Sequence, residues 1–258
     1  MSSVSASAVA SLRQRTGVSM MECKKALEES QGNEEKAIEI LRKRGIAQAA
    51  KKSARDQFEG LVFVAQDADK AAIVLLKCET DFVARDDNFR STGVELVDTF
   101  LAKGEEAMKA QAEKTVPELV QKLGENISLE EYRLVSGTTI GTYLHTNSKI
   151  GVIISLDGGT ADGAKDVAMH AAAMNPTVIR PEEVPAEKIE QEKEIWRAQL
   201  KKEGKPEAMF DKIMLGKEKK FREESALTKQ PFVKDPTKTV EQYLGEAKVT
   251  TYVRLAIG

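Results

Sequence analysis

Few residues in this sequence have the types and spacing that metal binding requires. The chain of 258 residues contains two histidines, His145 and His170, and two cysteines, Cys23 and Cys78. None of these four is spaced from another as zinc ligands usually are, and the sequence has no H-E-x-x-H motif and no EF-hand pattern. We therefore expect no metal site and no cofactor.

Motifs for covalent catalysis and phosphate binding are also absent. The sequence has neither G-x-S-x-G nor G-x-x-x-x-G-K-[ST], and its glycine-rich run, DGGTADG, lacks the lysine and is typical of a turn. Cys78 ends an apolar strand with Lys77 as its one basic neighbour, so its thiol is expected to be inert. His145, at a strand edge, is more typical of a packed side chain than of a base. The sequence therefore predicts a protein that contacts another protein rather than an enzyme.

One segment, TDFVARDDNF, raises a question about partner binding. It follows the apolar run 71–76, which predicts a buried strand. Because Thr80 and Asp81 are good N-cap types, we expect Asp81 and Phe82 on a short connection between strand and helix. A phenylalanine there either folds back into its own core, which is the commoner case, or points outward to meet a partner. The sequence leaves both alternatives open.

The overall composition limits where the protein works and what it binds. A net charge of -2 and a pI near 5.9 argue against a nucleic-acid partner. No apolar stretch approaches the roughly 18 residues that span a membrane. Two distant cysteines suit a reducing compartment, so a cytoplasmic location is expected. Met1–Arg15, rich in Ser and Ala without acidic residues, has two interpretations: an organelle transit peptide or a first helix that begins near Ser5.

Capping residues predict three short helices at the N-terminus. Ser19 opens an S-x-x-E capping box and Asn33 caps the next helix, while the first helix is expected to begin near Ser5. Gly17 and Gly45 are expected to end the first and third helices. The second and third helices resemble the ubiquitin-associated (UBA) type of bundle, which docks on partners through a short apolar loop and a helix face. The segment IAQAAKKSARD then predicts a partly helical, basic linker.

The middle of the chain predicts the same unit twice. GLVFVAQ and KAAIVLLK are strand-like runs that form a hairpin, and a helical run, NFRSTGVELVDTFLAK, follows them. GTYLHTN and KIGVIISL repeat the hairpin, and AKDVAMHAAAM repeats the helix. Between the two units we expect a short helix over Pro117–Gly124 and a strand over SLEEYRLVSG.

Residues 185–224 have a different pattern. They are dense in charge, with apolar residues at helical intervals on both sides of Gly204-Lys205-Pro206. This predicts an antiparallel coiled-coil hairpin that projects from the core and offers a surface to a second copy or to another protein. QPFVKDPTKTVEQYL then predicts a proline-bounded loop with a short helix, and KVTTYVRLAI a last strand.

Together these elements predict an α+β fold. It consists of an N-terminal three-helix bundle, a core of two related hairpin-plus-helix subdomains, and the inserted coiled-coil hairpin. The expected boundaries are 1–54 for the bundle and linker, 55–140 for the first subdomain, 141–184 and 225–258 for the two parts of the second, and 185–224 for the hairpin.

Four segments carry a resemblance to a known family. LRQRTGVSMMECKKAL, TDFVARDDNF, GENI and QPFVKDPTKTVEQYL resemble, in the same order, segments of translation elongation factor Ts. The resemblance extends over almost the whole chain. It implies a guanine-nucleotide exchange factor whose partner is elongation factor Tu.

The resemblance also implies which residues touch that partner. Asp81, Phe82, Val83 and Ala84 would form an element that wedges between helices of the GTPase domain, displaces the groups that hold Mg²⁺ and loosens GDP. Further implied contacts are Arg13, Met20 and Met21 in the bundle, His145 in the second subdomain, and Phe232 and Val233 after the hairpin.

A non-enzymatic UBA-like or RNA-binding adaptor is the alternative function. It would need only the bundle and the basic linker, so it leaves most of the chain without a role. Neither interpretation expects a membrane, and the exchange-factor interpretation expects no direct contact with nucleic acid.

Overall fold

The computed structural model describes residues 4–257 and has both helices and antiparallel sheets. The α+β class predicted from the sequence is therefore confirmed. Residues 1–3 and residue 258, the outer ends of the first and last predicted domains, lie outside the described residues.

Three helices form a bundle at the N-terminus, and they begin where the capping residues predict. They are α1 (Ala6–Thr16), α2 (Met20–Glu29) and α3 (Glu34–Lys52). The side chains of Ser5, Ser19 and Asn33 each accept a hydrogen bond from a backbone N–H in the first turn of their helix. Val9 and Leu12 of α1 are buried in the core of this bundle, which supports the helix interpretation of residues 6–15.

The prediction that α3 ends at Gly45 is wrong, because the helix continues to Lys52. Gly45 lies where α3 packs against the long helix α6 (Glu105–Leu123). A Cβ atom at Gly45 would lie 3.1 Å from the carbonyl oxygen of Pro117. This glycine therefore permits two helices to approach closely. The expected basic linker is consequently helical as far as Lys52.

The first sheet contains the predicted hairpin and one later strand. Its strands β1 (Glu59–Gln66), β2 (Lys70–Cys78) and β3 (Ser128–Ser136) are antiparallel in the order β1-β2-β3. A short helix α4 (Asp81–Ala84) follows β2 directly, and α5 (Asp87–Lys103) comes next. Residues 72, 74 and 76 face the helices while 71, 73 and 75 face the second sheet, which explains the continuous apolar run.

The short helix predicted over Pro117–Gly124 is the last part of the longer helix α6. Proline has no backbone N–H and is best tolerated in the first turn of a helix, so Pro117 predicts a helix start. In the structure Pro117 lies inside the helix instead. The helix continues through Pro117 because Met108, Ala112, Leu119 and Val120 bury one apolar face against the core.

The second sheet repeats the pattern of the first. It contains β4 (Thr139–Leu144), β5 (Ile150–Asp157) and β8 (Lys248–Ala256) in the order β4-β5-β8. Helix α7 (Ala161–Met174) packs on one face. The other face packs on the first sheet, where a Cβ atom at Gly151 would lie 2.5 Å from Val62 Cγ1.

A helical hairpin and a small ribbon lie between α7 and β8 in the chain. Helices α8 (Ala186–Lys202) and α9 (Phe210–Ser225) pack together through Trp196, Leu200 and Met214. Strands β6 (Pro231–Phe232) and β7 (Asp235–Thr239) precede the short helix α10 (Val240–Leu244). The predicted proline-bounded loop is thus a two-stranded ribbon.

Candidate partner-binding site

Helix α4 presents Phe82 to solvent at the end of β2. Thr80 caps the helix, and its side-chain oxygen accepts a hydrogen bond from the backbone N–H of Val83. The Phe82 side chain is 81% exposed, whereas Val83 and Ala84 are buried in the core under the first sheet. Of the two alternatives that the sequence leaves open for Phe82, the structure shows the outward-pointing one. Val83 and Ala84 anchor the helix to the core.

The carboxylate of Glu125 holds the start of α4 from the loop that follows α6. Its Oε2 atom accepts hydrogen bonds from the backbone N–H groups of Glu79 and Thr80, both at 3.0 Å. Its Oε1 atom accepts a third from the hydroxyl of Thr80. One side chain therefore satisfies the donors of two consecutive residues just before the helix.

Glu79 in turn binds the loop that carries Glu125. Its carboxylate accepts a hydrogen bond of 2.6 Å from the backbone N–H of Asn126 and lies 3.3 Å from Arg55 Nη1. Asn126 is buried, and its amide donates to the carbonyl oxygen of Arg55 at 2.8 Å. We call the group Glu79, Thr80, Glu125 and Asn126 the α4 clasp.

Sequence reasoning gave no role to Glu125 and Asn126, although both lie in the GENI segment. A signal was present at Gly124, which ends α6 in the left-handed conformation and turns the chain back. A carboxylate directly after such a turn can reach backbone donors of a neighbouring segment. Which segment it reaches depends on the tertiary fold.

Charged groups on both sides of Phe82 complete this surface. Asp81 pairs with Arg85 one turn later, with 2.9 Å between Oδ2 and Nη2. Asp86 caps α5 by accepting a hydrogen bond from the backbone N–H of Asn88 at 2.8 Å. Burial raises the pKa of the Asp86 carboxyl, but hydrogen bonds from the side chain and backbone of Asn88 outweigh it, so the pKa lies below its usual value.

The bundle meets the core at α6 and at the start of α5. Gly17, with a φ of +69°, lies against the side chain of Lys122, whose amine donates to Asn88 at the start of α5. Arg13, Met20 and Met21, the predicted contact residues of the bundle, are all exposed. Exposed methionines are adaptable apolar contact groups, so these side chains are available to a partner.

Of the predicted contacts near the second sheet, Phe232 has a different position from the expected one. Its side chain is 1% exposed and stacks on Tyr243, with 4.1 Å between ring centroids. It is a core side chain here, so it cannot offer a contact surface, and this part of the prediction needs correction. Val233 is half-exposed, and the partly exposed His145 interacts with Asn147 across 2.9 Å.

His170 supports the segment that carries Val233. Its Nδ1 accepts a hydrogen bond from the backbone N–H of Val233 at 3.2 Å, so Nε2 carries the proton that reaches Gln230 Oε1 at 3.0 Å. Burial lowers the pKa of His170, and the hydrogen bond to Gln230 opposes this in part. His170 therefore packs as a neutral ring, a role that the sequence did not reveal.

Metal-ligand side chains and the Cys78 thiol are the remaining groups whose positions bear on chemistry. Between residues 4 and 257, no three His, Cys, Asp or Glu side chains gather as metal ligands. Burial, with the charges of Glu125 and Glu59, raises the pKa of Cys78 to about 12, and its thiol donates to the carbonyl oxygen of Thr80. Within the same part of the chain, every helix is too short or too polar to cross a bilayer.

Comparison with known proteins gives a consistent result. Residues 79–258 match the sequence model of the family described as Elongation factor TS. The chain is 44% identical to Elongation factor Ts of Marinobacter nauticus over 266 residues. This alignment covers 100% of this chain and 92% of that protein. The chain belongs to the elongation factor Ts family. Identity is 45% to Elongation factor Ts of Cellvibrio japonicus, with 100% and 92% coverage, and 43% to that of a Hydrogenobaculum species, with 99% of each chain covered.

Membership of the elongation factor Ts family confirms the resemblance that the four segments carry. It gives the chain a role in translation elongation, and so in protein biosynthesis. The family match begins at Glu79, the first residue of the α4 clasp. The alignments with individual relatives extend over the bundle as well.

Proposed function

We propose that this protein is a guanine-nucleotide exchange factor for elongation factor Tu. It binds the GDP-bound form, inserts Asp81 and Phe82 near the Mg²⁺ site of that partner, and promotes release of GDP. The proposal rests on family membership and on one structural observation. That observation is the exposure of Phe82 on a helix whose base is fixed to the core.

An exposed aromatic side chain on a fixed base is well suited to act as a wedge. Exposure of a large apolar group to water costs free energy, which is recovered when the ring enters an apolar cleft. The rest of α4 is anchored by Val83 and Ala84, so little conformational freedom has to be lost on binding. Aromatic residues that fill pockets are typical of the few residues that dominate interface energies.

The loss of GDP affinity follows from the electrostatics of the partner's site. A Mg²⁺ ion that bridges nucleotide phosphates is the largest local charge, and it needs near-ideal ligand geometry. A small shift of its ligands therefore weakens nucleotide binding strongly. In this proposal Phe82 and Asp81 cause the shift by displacing partner groups, and this protein needs no metal, cofactor or bond-forming group of its own.

Other surfaces would share the binding. The bundle that carries Arg13, Met20 and Met21 contacts the core beside α5. In this proposal these three side chains bind the same GTPase domain as Phe82. His145 and Val233 would add contacts from the second sheet. The proposal includes the predicted division of the chain into a bundle, two related subdomains and a hairpin. It also includes a cytoplasmic location, because translation takes place there.

The test is release of fluorescent GDP from elongation factor Tu after dilution into excess unlabelled GDP. We expect release to be faster when this protein is added and to saturate as its concentration rises. A UBA-like or RNA-binding adaptor would leave the release rate unchanged, so an unchanged rate would overturn the proposal.

A further inference from the structure

The start of α4 cannot be stable by itself. The helix has four residues, far below the roughly 12 to 15 that an isolated helix needs in water. The strand pairing of β2 ends at Cys78 opposite Glu59, the first residue of β1. The N–H groups of Glu79 and Thr80 therefore lie beyond the ladder, and the carboxylate of Glu125 accepts from both.

The hydroxyl of Thr80 transmits this restraint to the helix. It donates its single proton to Glu125 Oε1, and its lone pairs then accept from the N–H of Val83 at 3.4 Å. The carboxylate of Glu125 therefore fixes the rotamer of Thr80. In that rotamer the Thr80 side chain caps α4. Phe82 lies between Thr80 and Val83 in sequence, so its direction depends on this arrangement.

We propose that Glu125 is a positioning residue for exchange, which acts through Thr80 to fix the direction in which Phe82 leaves the surface. This inference rests on the proposed function, since it assumes that Phe82 is the group that acts on the partner. It adds a residue from a different element, 43 positions beyond Phe82 in the chain.

The chemistry of the α4 clasp requires a carboxylate. Three donors converge on Glu125, and an ionised carboxylate offers two oxygens with about four lone-pair sites. Glutamine has the same shape but only one acceptor oxygen, and its NH₂ group would face a donor. Glu125→Gln therefore changes hydrogen bonding with little change in volume. If the amide oxygen stays on the two backbone N–H groups, the NH₂ group takes the place of Oε1, and the Thr80 hydroxyl loses the acceptor of its proton.

The expected effect is on the rate of exchange more than on binding. A displacement of about 1 Å in a positioned group can cost on the order of 100-fold in rate. We expect Glu125→Gln to lower the maximal rate of GDP release by about 10-fold to 100-fold. Because the bundle contacts remain, the concentration of this protein that gives half-maximal release should change less than about threefold.

Variants of Thr80 test the same connection from its other end. Thr80→Val removes the hydroxyl at nearly constant volume and should slow release as Glu125→Gln does. Thr80→Ser restores both hydrogen bonds and should recover most of the lost rate. Glu113→Gln, at an exposed site on α6 outside the α4 clasp, is the matched control for loss of one negative charge.

A double-mutant cycle with Phe82→Ala separates positioning from a general structural effect. If Glu125 acts through Phe82, adding Glu125→Gln to Phe82→Ala produces no further loss of rate. Independent, multiplicative losses would overturn the inference, and so would equal loss of rate and affinity in Glu125→Gln. Should Glu125→Gln unfold at the assay temperature, the Thr80→Val and Thr80→Ser pair, which keeps the carboxylate, decides by the same criteria.

Failure of this inference is distinguishable from failure of the proposed function. If the wild-type protein does not accelerate GDP release, the proposed function is wrong. If the wild type accelerates release and Phe82→Ala exchanges normally, the role of Phe82 is wrong, and the positioning role of Glu125 fails with it. If Phe82→Ala is slow while Glu125→Gln and Thr80→Val exchange like the wild type, only the positioning role is wrong.

Discussion

Phe82 and Val83 are consecutive residues of α4 with opposite environments. Phe82 is 81% exposed, and Val83 is 8% exposed and packs in the core beneath the first sheet. Consecutive helical residues point about 100° apart, so a single turn can bury one side chain and expose the next. Burial of Val83 therefore holds α4 against the core while the ring of Phe82 stays exposed.

Substitution of these two residues should therefore have different effects on stability. We expect Phe82→Ala to change the free energy of unfolding by about 1 kcal/mol or less, and Val83→Ala to lower it by about 1 to 3 kcal/mol. Urea unfolding of both variants measures the difference. A loss of about 3 to 5 kcal/mol in Phe82→Ala would instead indicate a buried phenylalanine.

Removal of the helical hairpin should leave a folded protein. Its two ends are already joined at the base, where Thr177 N donates to Ser225 O and Leu227 N to Val178 O, both at 2.9 Å. We expect replacement of residues 185–224 by a short Gly/Ser turn to preserve cooperative unfolding and binding to elongation factor Tu. Calorimetry and a pull-down with purified partner test this, and loss of the core transition would show that the hairpin is part of the core.

Acid should destabilise the protein through His170. Because its pKa is lowered in the folded state, the unfolded chain binds the proton first as pH falls through 6.5. The stability that the neutral ring contributes is thus present above that pH and is lost below it. We expect the melting temperature to fall more between about pH 7.5 and about pH 5.5 in the wild type than in a folded His170→Gln variant. Equal slopes in the two proteins would contradict this role.

The cysteines should be unreactive in the folded protein. Both are buried, and the pKa of the Cys78 thiol is raised to about 12, so almost no thiolate is present near neutral pH. We expect a thiol reagent to label neither cysteine until denaturant is added, and a folded Cys78→Ser variant to keep full exchange activity. Rapid labelling of native Cys78, or loss of exchange in that variant, would indicate a chemical role.

Features that depend on neighbouring residues in the chain could be predicted from the sequence. Ser5, Ser19 and Asn33 start helices because a capping side chain acts within its own first turn. Gly45 was misread because its role depends on Pro117, a residue on another helix. Local rules cannot tell a glycine that ends a helix from one that lets two helices touch.

The same limit applies to the candidate site. The sequence located Phe82 on the connection after β2 but could not decide its exposure, since that depends on which side of α4 the core covers. Glu125 was missed because its three donors come from a segment about 45 residues earlier in the chain. The family resemblance implied Phe232 as a partner contact, yet Phe232 stacks on Tyr243 and is buried.

The measurement that tests the central claim most directly is stopped-flow release of fluorescent GDP from elongation factor Tu with the Phe82→Ala variant. An aromatic anchor typically contributes on the order of 2 to 4 kcal/mol, so we expect release to slow by roughly 30-fold to 1000-fold. Leu215→Ala, which removes another side chain of high exposure, 72%, on α9, is the control and should exchange like the wild type. A folded Phe82→Ala variant that releases GDP as fast as the wild type would contradict the account.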